Sequence, residues 1–332
     1  MDPTKPLRAV VRALTFDRVA VPGGKIQAPN FLFAGHPRSG SGLLDSFLKG
    51  HPDVFMARKE LHYFGADLRY HTPPRTYANY MQHFRGAAGH ARIGEASTWL
   101  LCSETAAEEA KAFFAVHNVA DPRILIQLRE PVGWLGSLHA HLVFTGDEPI
   151  VDFGEALAAE SAREAGDNLP PWSMPVVAWR YRAHCDYASQ VTRWWAAFGK
   201  DRVKVIILDD LRDNPEAVLE GVLEFLGVSP QFAGRDEVLE AGQRARNSNR
   251  TVHIPALRRW VNHPRQRRIL EGAQAATVPG LGLAIRAARR GNIRYVPRAP
   301  LDPALKASLR AELAPSVDAL EALLERPLPG WR

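Results

Sequence analysis

Apolar residues along this chain alternate between short unbroken runs and longer stretches spaced for one helix face. The first run is 31–34, Phe-Leu-Phe-Ala. After a polar break, Leu43, Leu44, Phe47 and Leu48 recur at helical spacing until Gly50, and His51-Pro52 stops the helix. A second run, 123–129 (Arg-Ile-Leu-Ile-Gln-Leu-Arg), ends at Glu130-Pro131, and Leu135, Leu138, Leu142 and Val143 then mark one face of the next helix. Pro131 suits a first helical turn, where a backbone N–H lacks a partner in any case. A third run, 203–208, precedes a helix at 215–226 that Asp209-Asp210 are expected to cap. Short apolar runs bounded by charged or turn residues are the pattern of strands buried on both faces of a parallel sheet.

Weaker patterns fill the rest. Val54-Phe55-Met56 is expected to be a short strand, and 93–100 a short strand or turn opening a helix through 103–116. Residues 65–92 read as a loop-and-helix insertion. An acidic helix is expected over 153–165, a long aromatic helix over 176–198, and a closing helix over 302–324 with Leu305, Leu309, Leu313, Leu320 and Leu323 at helical spacing. Strands alternating with helices predict an α/β fold, a mainly parallel sheet flanked by helices on both faces. Residues 1–30 form an N-terminal leader with one short helix over 7–14, and 31–332 a single domain. Within it, 229–300 is a basic loop or lid region and 301–332 carries the C-terminal helix.

Composition narrows the function little. Of 332 residues, 46% are hydrophobic and 23% charged, as in an ordinary soluble globular protein. The formal charge of +6 and pI near 9.5 fit an anionic ligand, and widely scattered arginines fit a uniformly basic protein equally. Cys102 and Cys185 lie in no metal-like spacing, so they read as buried free thiols of a reducing compartment. Arg8, Arg12, Asp17 and Arg18 interrupt the leader, and no stretch approaches the ~18 apolar residues of a membrane span. A cytoplasmic protein is expected.

Candidate chemistry concentrates at three places. Gly35-His36-Pro37-Arg38-Ser39-Gly40-Ser41-Gly42 lies between a strand and a helix, where backbone N–H groups and the helix end can hold an anion. Arg38 adds a permanent cation and Ser41 a hydroxyl. Gly35 and Gly40 keep the glycine spacing of the nucleotide-triphosphatase loop, but Ser41 and Gly42 stand in its Lys and Ser/Thr slots. An anion cradle and a plain strand-to-helix turn both fit.

The second place is Arg58-Lys59-Glu60-Leu61-His62-Tyr63-Phe64. Glu60 or His62, near a strand end among aromatics, can take a proton from a hydroxyl. A surface Glu beside a hydrogen-bonded His fits as well. At the third, Arg129 ends a strand and Ser137 follows on the next helix, so both can face the crevice where open α/β sheets bind ligands. His139 and His141 can face an acceptor there, or simply pack. Arginines crowd 244–294, either as a solvated basic face or as a lid gripping an anion.

The ordered set FLFAGHPRSGSGLL, RKELHYFG, IGEASTWL, ILIQLREPVGWLGSL and KVIILDDLRDNPEAVLEGVLEFLGV, spanning 31–228, resembles the sulfotransferase family, most of all its glycan (heparan-sulfate-type) and bacterial branch. The resemblance implies a P-loop NTPase-like fold with a phosphosulfate-binding loop. It implies 3′-phosphoadenosine 5′-phosphosulfate as co-substrate, adenosine 3′,5′-bisphosphate as product, and no required metal. Position by position, the loop falls on Pro37, Arg38, Ser39, Gly40, Ser41 and Gly42, with Arg38 where the family usually has lysine. The pair gripping the 3′-phosphate falls on Arg129 and Ser137, and the catalytic glutamate on Glu60, with His62 in reserve. The adenosine loop falls on 247–250, with Asn249 and Arg250. The family's Glu-Lys-Ser segment appears as Glu95-Ala96-Ser97, without its lysine. The acceptor would be a hydroxyl of a glycan, glycolipid or small metabolite. Two other readings are a P-loop small-molecule kinase, which the missing Gly-Lys-[Ser/Thr] opposes, and a non-catalytic binder of acidic ligands. No nucleic-acid-binding motif accompanies the arginines, so no nucleic-acid partner is expected.

Overall fold

The computed structural model describes residues 26–68, 76–170, 175, 177–244, 249–252, 293–296 and 300–332. The expected helix over 7–14 and most of the basic 244–294 stretch lie outside the described residues.

Strands β1 (Phe31–Gly35), β2 (Val54–Met56), β3 (Arg92–Thr98), β4 (Arg123–Leu128) and β5 (Val203–Ile207) form one sheet in the order β2-β3-β1-β4-β5, parallel at every pairing. A separate antiparallel pair joins β6 (Asn249–Val252) to β7 (Ile293–Val296). The helices are α1 (Ser41–Gly50), α2 (Tyr77–Met81), α3 (Ala106–Val116), α4 (Pro131–Thr145), α5 (Phe153–Ala158), α6 (Glu160–Glu164), α7 (Tyr187–Phe198), α8 (Leu208–Asp213), α9 (Pro215–Leu226), α10 (Arg235–Arg244) and α11 (Pro303–Leu324). The α/β class expected from the alternating runs is the class observed. Among the described residues, no helix is long and apolar enough to cross a membrane.

By contact density the chain divides into two units. The first holds the described residues up to Glu130, Asp186–Arg244 and Ser316–Pro327. Its core lies on one sheet face, where Phe31, Phe33, Leu125 and Ile206 meet Leu44, Phe47 and Leu48 of α1 and Leu219, Val222, Leu223 and Leu226 of α9. Leu32, Ala34, Ile124 and Ile126 alternate to the other face, which explains the unbroken apolar runs. Helices α3 and α7 pack together through Phe114 and Phe198, with ring centroids 5.9 Å apart. Gly94 of β3 has to be glycine, because a Cβ there would stand 2.3 Å from the Phe31 ring.

The register aligns the carboxyl ends of three neighbouring strands. Gly35, last in β1, pairs with Thr98 of β3 on one side and Gln127 of β4 on the other. Ligands of open α/β sheets bind outside this edge.

The second unit comprises Pro131–Cys185, Leu328–Arg332 and the described part of Ala245–Pro315. A buried ion pair organises it. Arg163 donates to both Glu148 oxygens at 2.7 and 2.8 Å, and the Tyr181 hydroxyl donates to Glu148 Oε2 at 2.8 Å. Burial pushes the Glu148 carboxyl up, but the Arg163, Ile150 and Tyr181 bonds outweigh it and hold the group below its ordinary value.

Several sequence expectations need correction. The helix expected over 176–198 starts only at Tyr187, because the Asp186 side chain accepts the Ser189 N–H and caps it there. The acidic helix over 153–165 is two short helices, α5 and α6, meeting at Ala159. The one expected through 103–116 begins at Ala106, whose N–H the Ser103 hydroxyl accepts at 2.9 Å. Asp209 and Asp210 do not cap the 215–226 helix: they lie in the first turn of α8, Asp210 accepts both arms of Arg326 at 2.7 and 3.0 Å, and Asn214 caps α9. Both cysteines are free, Cys185 buried and Cys102 half-buried.

Candidate active site

Beyond Gly35 the chain turns sharply into α1, and the turn is braced from beneath. His36, 1% exposed, bonds Gln190 Oε1 through Nε2 at 2.7 Å, which puts its ring proton there. Nδ1 is then an acceptor for the Cys102 thiol at 3.2 Å. Burial pushes that thiol well above its ordinary pKa, so it keeps the proton it donates. Ser39 Oγ donates to the His36 carbonyl at 2.7 Å. Gly40 takes φ 92°, and a Cβ there would come within 2.5 Å of Leu208 Cδ1 and 3.1 Å of Gln127 Nε2. Only glycine fits, and it leaves the start of α1 without a side-chain cap.

Arg38 sits on this loop, half-buried, with φ 67°. Its carbonyl accepts Arg129 Nη1 at 3.0 Å, and the Arg129 carbonyl accepts the Tyr187 hydroxyl at 3.1 Å. The arginine ending β4 is thereby tied to the loop ending β1. Gln127, fully buried, has a side-chain amide with no hydrogen-bond partner among the described residues. Such a group carries a desolvation cost that a bound polar ligand or water would offset.

One residue of this cluster was not singled out from the sequence. Lys59 Nζ donates to Ser41 Oγ at 2.8 Å, so an ammonium stands at the first residue of α1. Burial lowers its pKa, against the nearby Asp45, Glu60 and Glu95 carboxylates, which favour the charged form. Neither spacing nor motif distinguishes it from Arg58, which stays exposed. Only the placement of β2 at the sheet edge beside β3 brings the 57–62 segment back to α1.

The same segment carries the predicted base. Thr98 Oγ1 donates to Glu60 Oε2 at 2.6 Å, and His62 Nε2 stands 3.2 Å from the same oxygen. Burial raises the Glu60 carboxyl above its ordinary pKa, against the Thr98 bond and the Lys59 charge, although the side chain keeps 29% of its surface exposed. Ser97 Oγ accepts the Leu61 and His62 N–H groups at 3.0 and 2.9 Å and donates to Glu95 Oε2 at 2.6 Å. Glu95 and Ser97 are fully buried, so this pair braces the base segment from inside the sheet.

Pro37, Arg38, Ser39, Gly40, Ser41, Gly42, Glu60, His62 and Arg129 all belong to the first unit, and Ser137 to the second, buried in α4. Asn249 and Arg250 lie on β6, with their side chains outside the described part. His139 is buried, bonds the Ile150 carbonyl at 2.9 Å and packs on Phe153, which accounts for it as a packing residue. Among the described residues, no group of three or more His, Cys, Asp and Glu is placed to hold a metal.

A solved sulfotransferase from Alicyclobacillus acidocaldarius shares this architecture, with 27% identity over 92% of this chain and 100% of that one, at a TM-score of 0.64. This likeness supports a sulfotransferase family. Other sulfotransferases are matched less fully. Mouse SULT7A1, solved in complex with PAP, is 12% identical over 65% of this chain and 66% of that one, at a TM-score of 0.41. The sulfotransferase domain of the Synechococcus PCC 7002 olefin synthase is 18% identical over 65% and 78%, at 0.35. No family model and no curated protein matches the chain. The basic loop and the Glu60 carboxylate, held by Thr98 and His62, lie in the same unit as the sheet.

Proposed function

We propose that the protein moves a sulfuryl group from 3′-phosphoadenosine 5′-phosphosulfate to a hydroxyl of a glycan, glycolipid or small metabolite. The observation that carries this reading is the shared segment 57–62. On it Glu60 is fixed by Thr98 and His62, while the adjacent Lys59 reaches Ser41 of the basic loop. A proton acceptor and an anion site are thereby one residue apart. The residues fit a phosphate-bearing group: Gly40 leaves a cradle that a Cβ would fill, and the buried Gln127 amide beside it has no protein partner among the described residues.

Pro37 to Gly42 would hold the 5′-phosphosulfate by backbone N–H groups and the Arg38 guanidinium, while Arg129 and Ser137 would hold the 3′-phosphate. Asn249 and Arg250 would lie at the adenosine. When bound, the donor supplies a sulfuryl group already attached to a good leaving group. Glu60 takes the acceptor proton as the new sulfur–oxygen bond forms. The bond from sulfur to the phosphate oxygen breaks, its electron pair staying on the phosphate, so that a sulfate ester, the bisphosphate and a protonated Glu60 result. The residues contribute position and fixed charge. The two free cysteines fit a cytoplasmic setting.

Incubation with sulfur-labelled donor and a panel of hydroxylated acceptors tests this. Label transfer to an acceptor without added magnesium supports it. Phosphate transfer from ATP with magnesium, and no sulfuryl transfer, would replace it with a kinase.

A further inference from the structure

Lysine is missing from this loop where phosphate-binding loops keep one. Ser41 stands in the nucleotide-loop slot, and Arg38 in the slot where the family resemblance implies the usual lysine. The fold brings an ammonium there from another segment. We propose that Lys59 replaces the absent lysine in space, binding the 5′-phosphate end of the donor and taking up the charge that develops on the leaving oxygen. This rests on the donor assignment above and adds to it a residue that the motif does not contain.

Three observations carry the inference. Ser41 Oγ, 2.8 Å away, is the one hydrogen-bond partner of Lys59 Nζ among the described residues, which leaves two of its three N–H donors for a ligand. No described carboxylate forms an ion pair with it; the neighbouring Asp45 is taken by Lys49 at 2.8 Å. A half-buried cation with neither ion pair nor full hydration is expensive to keep unless an anion arrives. Lastly, the unpartnered Gln127 amide, fully buried, lies against Gly40 at the same helix start, a second unmet polar group in one place.

Lys59 and Arg38 then have different tasks. A guanidinium is a planar fork that stays protonated, suited to gripping two oxygens at once. An ammonium is a compact charge, and here burial makes it the better proton donor toward a leaving oxygen. The charged groups near Lys59 are Asp45, Lys49, Glu60 and Glu95. The three carboxylates among them favour its charged form, against burial, which lowers its pKa.

The test compares adenosine 3′,5′-bisphosphate with adenosine 3′-monophosphate by calorimetry, on the unmodified protein and on Lys59→Met. The substitution is expected to weaken the bisphosphate about ten- to hundredfold, the worth of a charge-assisted bond, and to leave the monophosphate unchanged. Equal losses for both ligands, or no loss for either, would overturn the assignment. If the unmodified protein binds neither ligand, the donor reading itself has failed, and that result is separate because it needs no variant. A second measurement avoids mutation: acetylation of Lys59 in the unmodified protein, followed by mass spectrometry. Protection by the bisphosphate and not by the monophosphate supports the role, and equal labelling with both would contradict it.

Discussion

Thr98, the last residue of β3, donates its hydroxyl to Glu60 Oε2 at 2.6 Å. His62 approaches that same oxygen to 3.2 Å, so two side chains from different segments converge on one carboxylate oxygen. A carboxylate fixed in this way is oriented before any hydroxyl arrives.

Glu60→Gln keeps the shape and removes the proton acceptor. Turnover is expected to fall roughly 10²–10⁴-fold with the affinity for adenosine 3′,5′-bisphosphate retained. Single-turnover kinetics beside calorimetry checks both halves. An unchanged rate would move the role to His62.

The pH profile follows from burial. Glu60 sits above the ordinary carboxylate pKa of 4.5 because burial disfavours its charge. As the proposed base it would act deprotonated, so turnover should rise with pH through an inflection above 4.5 and then level off. Thr98→Val removes a bond that lowers this pKa, and the inflection should move further up. For stability the sign is opposite: a raised folded pKa contributes below the unfolded value, and that contribution is lost as pH rises through the folded one. An inflection below 4.5, or one that Thr98→Val leaves in place, would disconnect Glu60 from the profile.

Ser97→Ala takes away the acceptor for two backbone N–H groups and the donor to the buried Glu95. Leaving buried polar groups unmet costs about 1–3 kcal/mol, which a denaturant titration reads. Because Leu61 and His62 lose their anchor, turnover should fall further than bisphosphate affinity. Equal loss of both would make Ser97 a general stabiliser of the sheet.

In the second unit, Glu148→Gln would leave the Arg163 guanidinium, whose side chain is 0% exposed, without its counter-charge. Breaking such a pair from one side costs about 3–5 kcal/mol, and the double variant Glu148→Gln/Arg163→Met should be milder. The Glu148 carboxyl lies below its ordinary value, so its contribution is present above the unfolded pKa. It is lost as pH falls through the folded one. Thermal melting of both variants over an acid pH series measures this.

The apolar strands of the sheet were readable from the sequence, and the polar interior strand β3 much less so. β1 and β4 are buried on both faces, β5 at the sheet edge is half-buried at Lys204 and Val205, and all three are written as apolar runs. β3 reads Arg-Ile-Gly-Glu-Ala-Ser-Thr, because its carboxyl half spends Glu95, Ser97 and Thr98 on the base segment rather than on packing. Apolar periodicity therefore left it as a strand or turn. The loop of Pro37 to Gly42 was visible because glycine and serine between strand and helix have few other uses. Lys59 was hidden because its partner Ser41 is distant in sequence, and strand order, which no local pattern encodes, brings the two together. Asp209 and Asp210 misled for a related reason: an acidic pair after a strand serves the first turn of a helix as well as a cap.

Titration with adenosine 3′,5′-bisphosphate without metal, beside ATP with magnesium, decides on the donor site. Tight, magnesium-independent binding of the bisphosphate and none of ATP is expected. Binding of ATP with magnesium, with no heat from the bisphosphate, would contradict it.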